Sequence, residues 1–462
     1  MSDNAPSLEF LGAARTVTGS KFLARTKKSQ VLFECGMFQG LKELRRRNWE
    51  KFPMNPSELE AVVLTHAHID HSGLVPRLTK MGYTGPIYCT PASTELLGLL
   101  LPDAGYLQEE EARYANKKGY SRHEPALPLY TREDAQESLK QLKTLDYGKP
   151  LEIADGVTIT FHPSGHILGS GFVEADIGER RVVISGDIGS YDREVMAAPS
   201  DLPGADYVLV ESTYGGRSIV SRPVQEQLRE RIAPVLDAGG VVVIPAFAIG
   251  RTTLVLYHLR KLQERGEIPD VPVYVDSPMA TDAVDIYIRY GLEHNLKLDL
   301  LRSSNDCPIR AKTMRLIKRV EESKELHGKS GPMIILSASG MIAGGRILHH
   351  LKNRGGDPKN LILLVGYQAV GTRGRKLIEG GREIKMFGET HKIRAQVASI
   401  QGLSAHGDAD DVLRWLGTAK SKPKKAFLVH GEDEGLKAMG ERVGAELHWK
   451  HHTPHYLEKV YL

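Results

Sequence analysis

The 462-residue sequence is short of cysteine, of aromatic residues and of net charge, and the shortages exclude several classes of protein. Its three cysteines, Cys35, Cys89 and Cys307, are odd in number, far apart and without a CxxC pair, so neither a disulfide framework nor a thiolate zinc site is expected. No window approaches the roughly 18 uninterrupted apolar residues of a membrane helix. The start, MSDNAPSLEF, has neither a basic nor an apolar leader region, so a cytoplasmic protein without a membrane partner is expected. A formal net charge of +4 is too small to identify a nucleic-acid binder by itself. Basic residues do gather locally: Arg45, Arg46 and Arg47; Arg373, Arg375 and Lys376; Lys420, Lys422, Lys424 and Lys425. For any one such run a solvated face is the default.

What the chain has in quantity is core-forming sequence, 41% hydrophobic, punctuated by 46 glycines and 24 prolines. Its length favours two domains or one domain carrying a large insertion. In the first half short apolar runs (30–33, 61–64, 157–161, 181–184, 207–210) each end at polar or charged residues, which reads as buried strands delivering side chains from their C-terminal ends. A polar stretch with helical patterning lies between Pro102 and Tyr130. From about Arg222 the rhythm becomes a longer strand and helix alternation, VVVIPAFAIGR then TTLVLYHLRKLQERG, with PMIILSASG and LILLVGYQAVG later, as expected of a parallel α/β domain. The last sixty or so residues return to short strands, and a domain inserted into another fits this order.

The densest chemical signal is THAHIDHSG at Thr65 to Gly73, where His66, His68, Asp70 and His71 follow a strand on one tight loop. Three imidazoles and a carboxylate so placed are able to ligate two metal ions. Two cations need more donors than one loop offers, and two stand downstream. His166 lies in the Gly-rich turn HPSGHILGSG, and Asp187 closes the apolar run VVISGD, where an unpaired carboxylate is costly. Taken singly, His166 reads as a structural histidine and Asp187 as a strand-end cap. Together with the first loop they become candidate ligands.

The order HAHIDH, then His166, then Asp187 resembles the metallo-β-lactamase superfamily. The resemblance implies a four-layer αββα sandwich with a dinuclear site on one edge. Its continuation narrows the match: ESTYG at Glu211, PAFAIGR at Pro245, GLSAHGD around His406 and LVHGE around His430 resemble the β-CASP nucleases, which include ribonuclease J and the endonuclease subunit of the polyadenylation complex. The expected fold is therefore an α/β sandwich in two parts, residues 1–212 and 399–462, with a parallel-sheet β-CASP domain inserted at 213–398.

The resemblance also implies the site. His66, His68 and His166 would hold one Zn2+, Asp70, His71 and His430 a second, with Asp187 between them and a metal-bridging hydroxide as attacking group. Asp70, Glu211 and His406 are the candidate catalytic residues, His406 as general acid oriented by Glu211. His430 points to RNA, because the DNA-repair branch of the family typically has Val there. Ser337, Ser339 and Gly340 in SASGM, and Arg373 and Arg375 in GYQAVGTRGR, resemble segments that hold the nucleic-acid backbone; small residues after a strand also let amides approach an anion. One departure concerns FECG, where Glu34 stands at the family's usual Asp and is expected to orient a metal-bound histidine. His391 is read as structural, and His451, His452 and His455 as surface packing.

The function these features imply is zinc-dependent hydrolysis of phosphodiesters in single-stranded RNA, as an endonuclease, a 5′ exonuclease or both. A small-substrate metallohydrolase of thioesterase or lactamase type and a non-catalytic RNA-binding scaffold are the alternatives. The chain ends soon after the sandwich is completed, without the further C-terminal domain of ribonuclease J, and a homodimer stays an open alternative.

Overall fold

The computed structural model describes residues 5–119, 121, 123–217, 222–297, 300–301 and 307–462. Every candidate site residue lies within them. The chain divides into two compact units, Met1–Ser218 with His406–Leu462, and Ile219–Ala405.

The first unit is built on two seven-stranded sheets. One runs, in spatial order, Lys459–Tyr461, Ser7–Phe10, Phe22–Arg25, Gln30–Phe33, Ala61–Val63, Ile87–Cys89 and Leu142–Thr144. The other runs His451–His452, Lys425–Val429, Tyr207–Glu211, Arg180–Ile184, Gly171–Ile177, Val157–Pro163 and Leu151–Ala154. Alternation decides how they pack. In Val157–Pro163 the residues Val157, Ile159 and Phe161 are buried while Thr158, Thr160 and His162 are not, so one face is apolar. That face meets Phe10, Phe33 and Val63 of the first sheet in a single core between the sheets. Phe172, Val183, Val208 and Leu428 point the other way and are covered by the helices Ala409–Gly417, through Trp415 and Leu416, and Asp433–Glu446, through Leu436 and Met439. Helices Val75–Lys80, Pro91–Lys118 and Arg132–Leu139 complete the helix, sheet, sheet, helix layering expected from the resemblance.

One element starts earlier than the sequence pattern suggests. The polar stretch from Pro102 is the second half of a helix that begins at Pro91, capped by the Thr90 side chain on the Ser93 amide. It ends at Gly119, whose φ of +62° is the usual left-handed stop. Pro102 sits inside it.

The second unit carries a six-stranded sheet in the order Met314–Leu316, Val273–Asp276, Met333–Ser337, Val241–Pro245, Leu361–Leu364, Gln396–Ser399, with all pairs parallel. VVVIP, MIILS and LILL are buried at every position because both faces are covered, which is why they read as continuous apolar runs. Val242, Ile334 and Leu363 face one core, and Val243, Ile335 and Ile362 the other. Among the described residues no helix is long and apolar enough to cross a membrane.

Candidate metal centre

All ten candidate residues for metal chemistry belong to the first unit, and all but His406 stand in segments that follow or close strands of its two sheets. The THAHIDH loop leaves Ala61–Val63 and turns into the short helix Ile69–Ser72. Its path is held from outside by three backbone hydrogen bonds: Ser20 N to Asp70 O (2.9 Å), Cys35 N to His71 O (2.7 Å) and Met37 N to Ile69 O (2.9 Å). The approach is so close at Gly36 that a Cβ there would lie 1.7 Å from the Asp70 carbonyl oxygen, so only glycine fits. Ser72 Oγ, donating to Ala67 O and His68 O at 2.9 Å each, pins the loop from within.

The turn carrying His166 is shaped by Ser170, whose Oγ accepts from the amides of His166 (3.0 Å) and Ile167 (3.1 Å). Asp187 follows the strand Arg180–Ile184 and Glu211 closes Tyr207–Glu211. His406 precedes the helix Ala409–Gly417, and His430 follows Lys425–Val429. Two of these positions are held at positive φ without being glycine, Glu34 at +66° and His430 at +50°. Such backbone persists only where surroundings over-determine it, and here the His430 amide is bound to Ala13 O at 2.7 Å.

The side chains form two adjoining groups. In the first, His68 Nδ1 lies 3.1 Å from both His66 Nε2 and His166 Nε2, and Asp187 Oδ2 lies 3.4 Å from His66 and 3.3 Å from His166. In the second, His71 Nε2 and His430 Nε2 are 3.1 Å apart with Asp70 Oδ2 3.6 Å from His430. Asp187 spans the two, its Oδ1 lying 3.3 Å from His71. His66, His166, Asp187, Glu34 and Glu211 are fully buried, whereas His68, Asp70 and His406 are partly open.

Do these residues fit a metal? Each neutral imidazole offers one lone pair, and in both groups those atoms face one another with at most one proton to share per contact. Asp187 Oδ1 and Glu34 Oε2 are buried without a hydrogen-bond partner. Converging nitrogen and oxygen donors with too few protons to pair them all are the arrangement a divalent cation satisfies, and three histidines with a carboxylate is a zinc donor set. Outer nitrogens are held as metal-bound histidines usually are: His66 Nδ1 by Thr65 Oγ1 (3.0 Å) and His430 Nδ1 by Thr213 Oγ1 (3.0 Å). Glu34 accepts from the Thr65 amide (3.1 Å) and sets its other oxygen 3.5 Å from His71 Nδ1.

Electrostatics separates the histidines. Burial, reinforced by His66, pushes His68 down to about 3, and burial with neighbouring His406 pushes His166 well below its usual value. Burial also opposes the charge of Asp187, but His71 and the other imidazoles outweigh it and hold the carboxylate ionised. His406 goes the other way. Burial disfavours its charged form, but Glu211 and Asp187 overcome that and raise it to about 9. Glu211 receives His406 Nδ1 on both oxygens (3.0 and 3.1 Å) and is itself fixed by the Ile188 amide (2.8 Å). His406 Nε2 is thereby turned toward Asp187, 3.7 Å away.

The residues read as phosphate-binding lie in the second unit, and much of their polarity is engaged there. Ser337 Oγ donates to Asp276 O (3.2 Å), and Ser339 Oγ accepts from the Ala343 amide (2.8 Å). Arg373 is spread over the carbonyls of Lys385 (2.6 Å), Ile342 (3.0 Å) and Ala343 (2.8 Å), and Arg375 pairs with Glu379 (2.6 Å). Gly340 packs too tightly for a side chain, since a Cβ would meet the Phe247 ring at 2.7 Å. His391 lies on a small hairpin strand, and His452 pairs with Glu458 at 2.6 Å. Sequence reasoning missed Thr65, Ser170 and Thr213, although each stands inside a motif already singled out.

Comparison with known proteins agrees along most of the chain. A model of the metallo-beta-lactamase superfamily matches residues 17–214, one of the Beta-Casp domain residues 252–377, and one of the Zn-dependent metallo-hydrolase RNA specificity domain residues 390–454. Ribonuclease TTHA0252 of Thermus thermophilus is 39% identical over 436 residues, covering 93% of this chain and 94% of its own. The transcription termination factor FttA of Methanosarcina mazei is 32% identical over 454 residues, covering 95% of this chain and 68% of its own. A crystal structure of a protein of unknown function from Enterococcus faecalis V583 shares the fold, with a TM-score of 0.53 at 12% identity over 99% of this chain and 100% of that one.

Proposed function

The chain belongs to the metallo-β-lactamase superfamily and, within it, to the Beta-Casp family, and from that premise we propose that it is a zinc-dependent ribonuclease that cuts single-stranded RNA. The observation that carries this reading is the pair of adjoining donor groups around Asp187, joined to a His406 and Glu211 pair on the same side. Thioester or β-lactam hydrolysis finds less support, because the chain is 39% identical, over nearly its whole length, to a protein named a ribonuclease. A binding scaffold that had lost its chemistry would not keep every donor position filled.

His66, His68 and His166 would hold one zinc ion, and Asp70, His71 and His430 a second, with Asp187 reaching both. When bound, the ions supply Lewis acidity and offset charge on the scissile phosphate. The protein's part is positioning and proton transfer. Glu211 occupies His406 Nδ1, so the proton available to a substrate sits on Nε2, facing the centre. From there His406 protonates the departing 3′ oxygen as the oxygen of a water molecule adds to phosphorus, leaving a 3′ hydroxyl upstream and a 5′ phosphate on the downstream fragment; a positioned acid contributes roughly 10²–10⁴-fold. Glu34 steadies His71 from behind, and Asp70 stands at the open side of its group. An RNA contact for Ser337, Ser339, Gly340, Arg373 and Arg375 is proposed on family resemblance alone. Internal and 5′-directed cutting both belong to the proposal.

The test is cleavage of a 5′-labelled single-stranded RNA by zinc-loaded wild type, Asp187→Ala and His406→Ala side by side. Cutting by wild type with loss in both variants is expected, and the product ladder distinguishes internal from end-directed cutting. Intact RNA after incubation with folded, zinc-loaded wild type would overturn the assignment.

A further inference from the structure

Residues 42–51, KELRRRNWEK, hold five cations against only Glu43 and Glu50, and the helix Lys42–Arg47 buries none of its side chains. Among the described residues no carboxylate lies within ion-pair distance of Lys42, Arg45, Arg46 or Lys51, all of them exposed. Beside them Trp49 is 53% exposed, whereas the chain's other two tryptophans, Trp415 and Trp449, are 0% and 8% exposed. An indole left in water among unneutralised cations contributes nothing to the core that would justify its exposure.

The segment is also tied rigidly to the metal centre. Asn48 is buried and clamps the Phe38 backbone from both sides, accepting from its amide (2.8 Å) and donating to its carbonyl (2.7 Å). The preceding residue, Met37, is bonded to Ile69 between the proposed ligand positions His68 and Asp70. These links keep the Asn48 Cα within roughly 15–20 Å of the metal loop. Arg47 lies over the Tyr456 ring at 4.1 Å and Arg77 donates to the Trp49 carbonyl at 2.9 Å, so the end of the helix is braced by two further elements. An amphipathic membrane anchor would need an apolar face, and this helix has none.

We propose that the helix Lys42–Arg47 and Trp49 form a platform for single-stranded RNA leading to the metal centre, with Lys42, Arg45 and Arg46 meeting phosphates and a base stacking on Trp49. The proposal rests on the ribonuclease reading for its substrate. Phosphate contacts and base stacking on an exposed aromatic are how single strands are held without sequence preference.

Because Trp49 alone of the three tryptophans is exposed, it is the one whose emission a stacked base can quench, and the Trp49→Phe difference isolates its signal. The experiment titrates zinc-free full-length protein with a 20-residue poly(U), following fluorescence and affinity against salt, for wild type, Trp49→Phe, Arg45→Glu/Arg46→Glu and a charge-matched control, Lys420→Glu/Lys422→Glu. Expected are quenching in wild type and control, an affinity roughly ten-fold or more lower in the Arg45→Glu/Arg46→Glu variant, and a salt slope reduced by about 1.4. At subsaturating poly(U), zinc-loaded wild type and control should cut at equal rates and the Arg45→Glu/Arg46→Glu variant more slowly, in proportion to its lost affinity. Unchanged Trp49 emission, or equal weakening in the control, would overturn the proposal and leave a solvated face. If poly(U) quenches Trp49 as expected yet no RNA is cut, the platform stands and the ribonuclease reading fails; cutting without quenching means the reverse.

Discussion

Two buried aspartates stand at strand ends in the two units, Asp276 as the last residue of its strand and Asp187 three residues past one, and their surroundings differ in one respect that separates the proposed metal centre from a structural network. Asp276, at the end of Val273–Asp276, accepts from Ser323 Oγ (2.6 Å), His350 Nε2 (2.7 Å) and Arg346 Nη1 (2.7 Å). Burial would raise its pKa, but those hydrogen bonds, His350 first, hold it below the usual value. Asp187 is equally buried and meets more histidines, yet its contacts run from 3.3 to 3.7 Å and one oxygen has no hydrogen bond. A buried carboxylate among imidazoles is therefore no sign of a metal in itself. What marks Asp187 is that its partners' lone pairs converge where a proton cannot satisfy them, whereas Asp276 has already met its donors.

The sharpest way to break the contrast is by activity. Asp187→Ala should lower RNA cleavage by at least about 10²–10³-fold, the several kcal/mol a metal site contributes to a transition state, while Asp276→Asn should leave cleavage per folded molecule within about two-fold. Rates per active molecule, counted by near-UV circular dichroism and mass, check this. Comparable losses in both would erase the distinction.

Stability should show the reverse order. Asp276→Ala strands Arg346 and His350 around a missing charge and should cost about 3–5 kcal/mol in a urea melt. Chelator should not change that cost. For wild type, removing zinc bound at about a hundred times its dissociation constant should cost about 3 kcal/mol, and for Asp187→Ala close to nothing.

Lys21 sharpens the comparison from a third side, as a buried charge with neither a metal nor a carboxylate. It donates only to the carbonyls of Gly19 (2.8 Å) and Gly36 (2.7 Å), and burial lowers it to about 7, with Cys35 opposing and Arg47 assisting. Burial also pushes the Cys35 thiol up to about 12, so it stays neutral across the relevant range. In the unfolded chain Lys21 holds its proton up to about 10.5, so between pH 7 and that value the unfolded state binds more protons and stability rises with pH. From pH 7 to 9 the gain should be about 2 kcal/mol relative to Lys21→Met, measured by paired urea melts. A constant difference would mean the ammonium is solvated in the fold.

How much of this was legible in the sequence follows from how local each feature is. His66, His68, Asp70 and His71 sit within six positions, and their spacing alone marks them as candidate ligands. Glu211, His406 and His430 are spread over 220 positions; taken singly each reads as a strand-end charge or a core histidine, and only the order of motifs assembled them. The parallel sheet of the second unit was readable because both-face burial leaves continuous apolar runs such as MIILS and LILL. The Asp276 network was not, because Ser323 comes from one helix and Arg346 and His350 from the start of another, and nothing in their spacing points at Asp276. Lys21 and Asn48 stayed hidden for the same reason: their partners are backbone atoms, which have no signature in sequence. The start of the helix at Pro91 was missed, although TPAS carries both a cap and a first-turn proline.

The most direct test is metal content. Full-length wild type, Asp187→Ala and Asp276→Asn, purified with zinc and dialysed together, are assayed for zinc per chain by mass spectrometry. Two zinc ions in wild type and in Asp276→Asn, with one or none in Asp187→Ala, is the predicted result; a zinc-free wild type, or equal zinc in wild type and Asp187→Ala, would contradict the account.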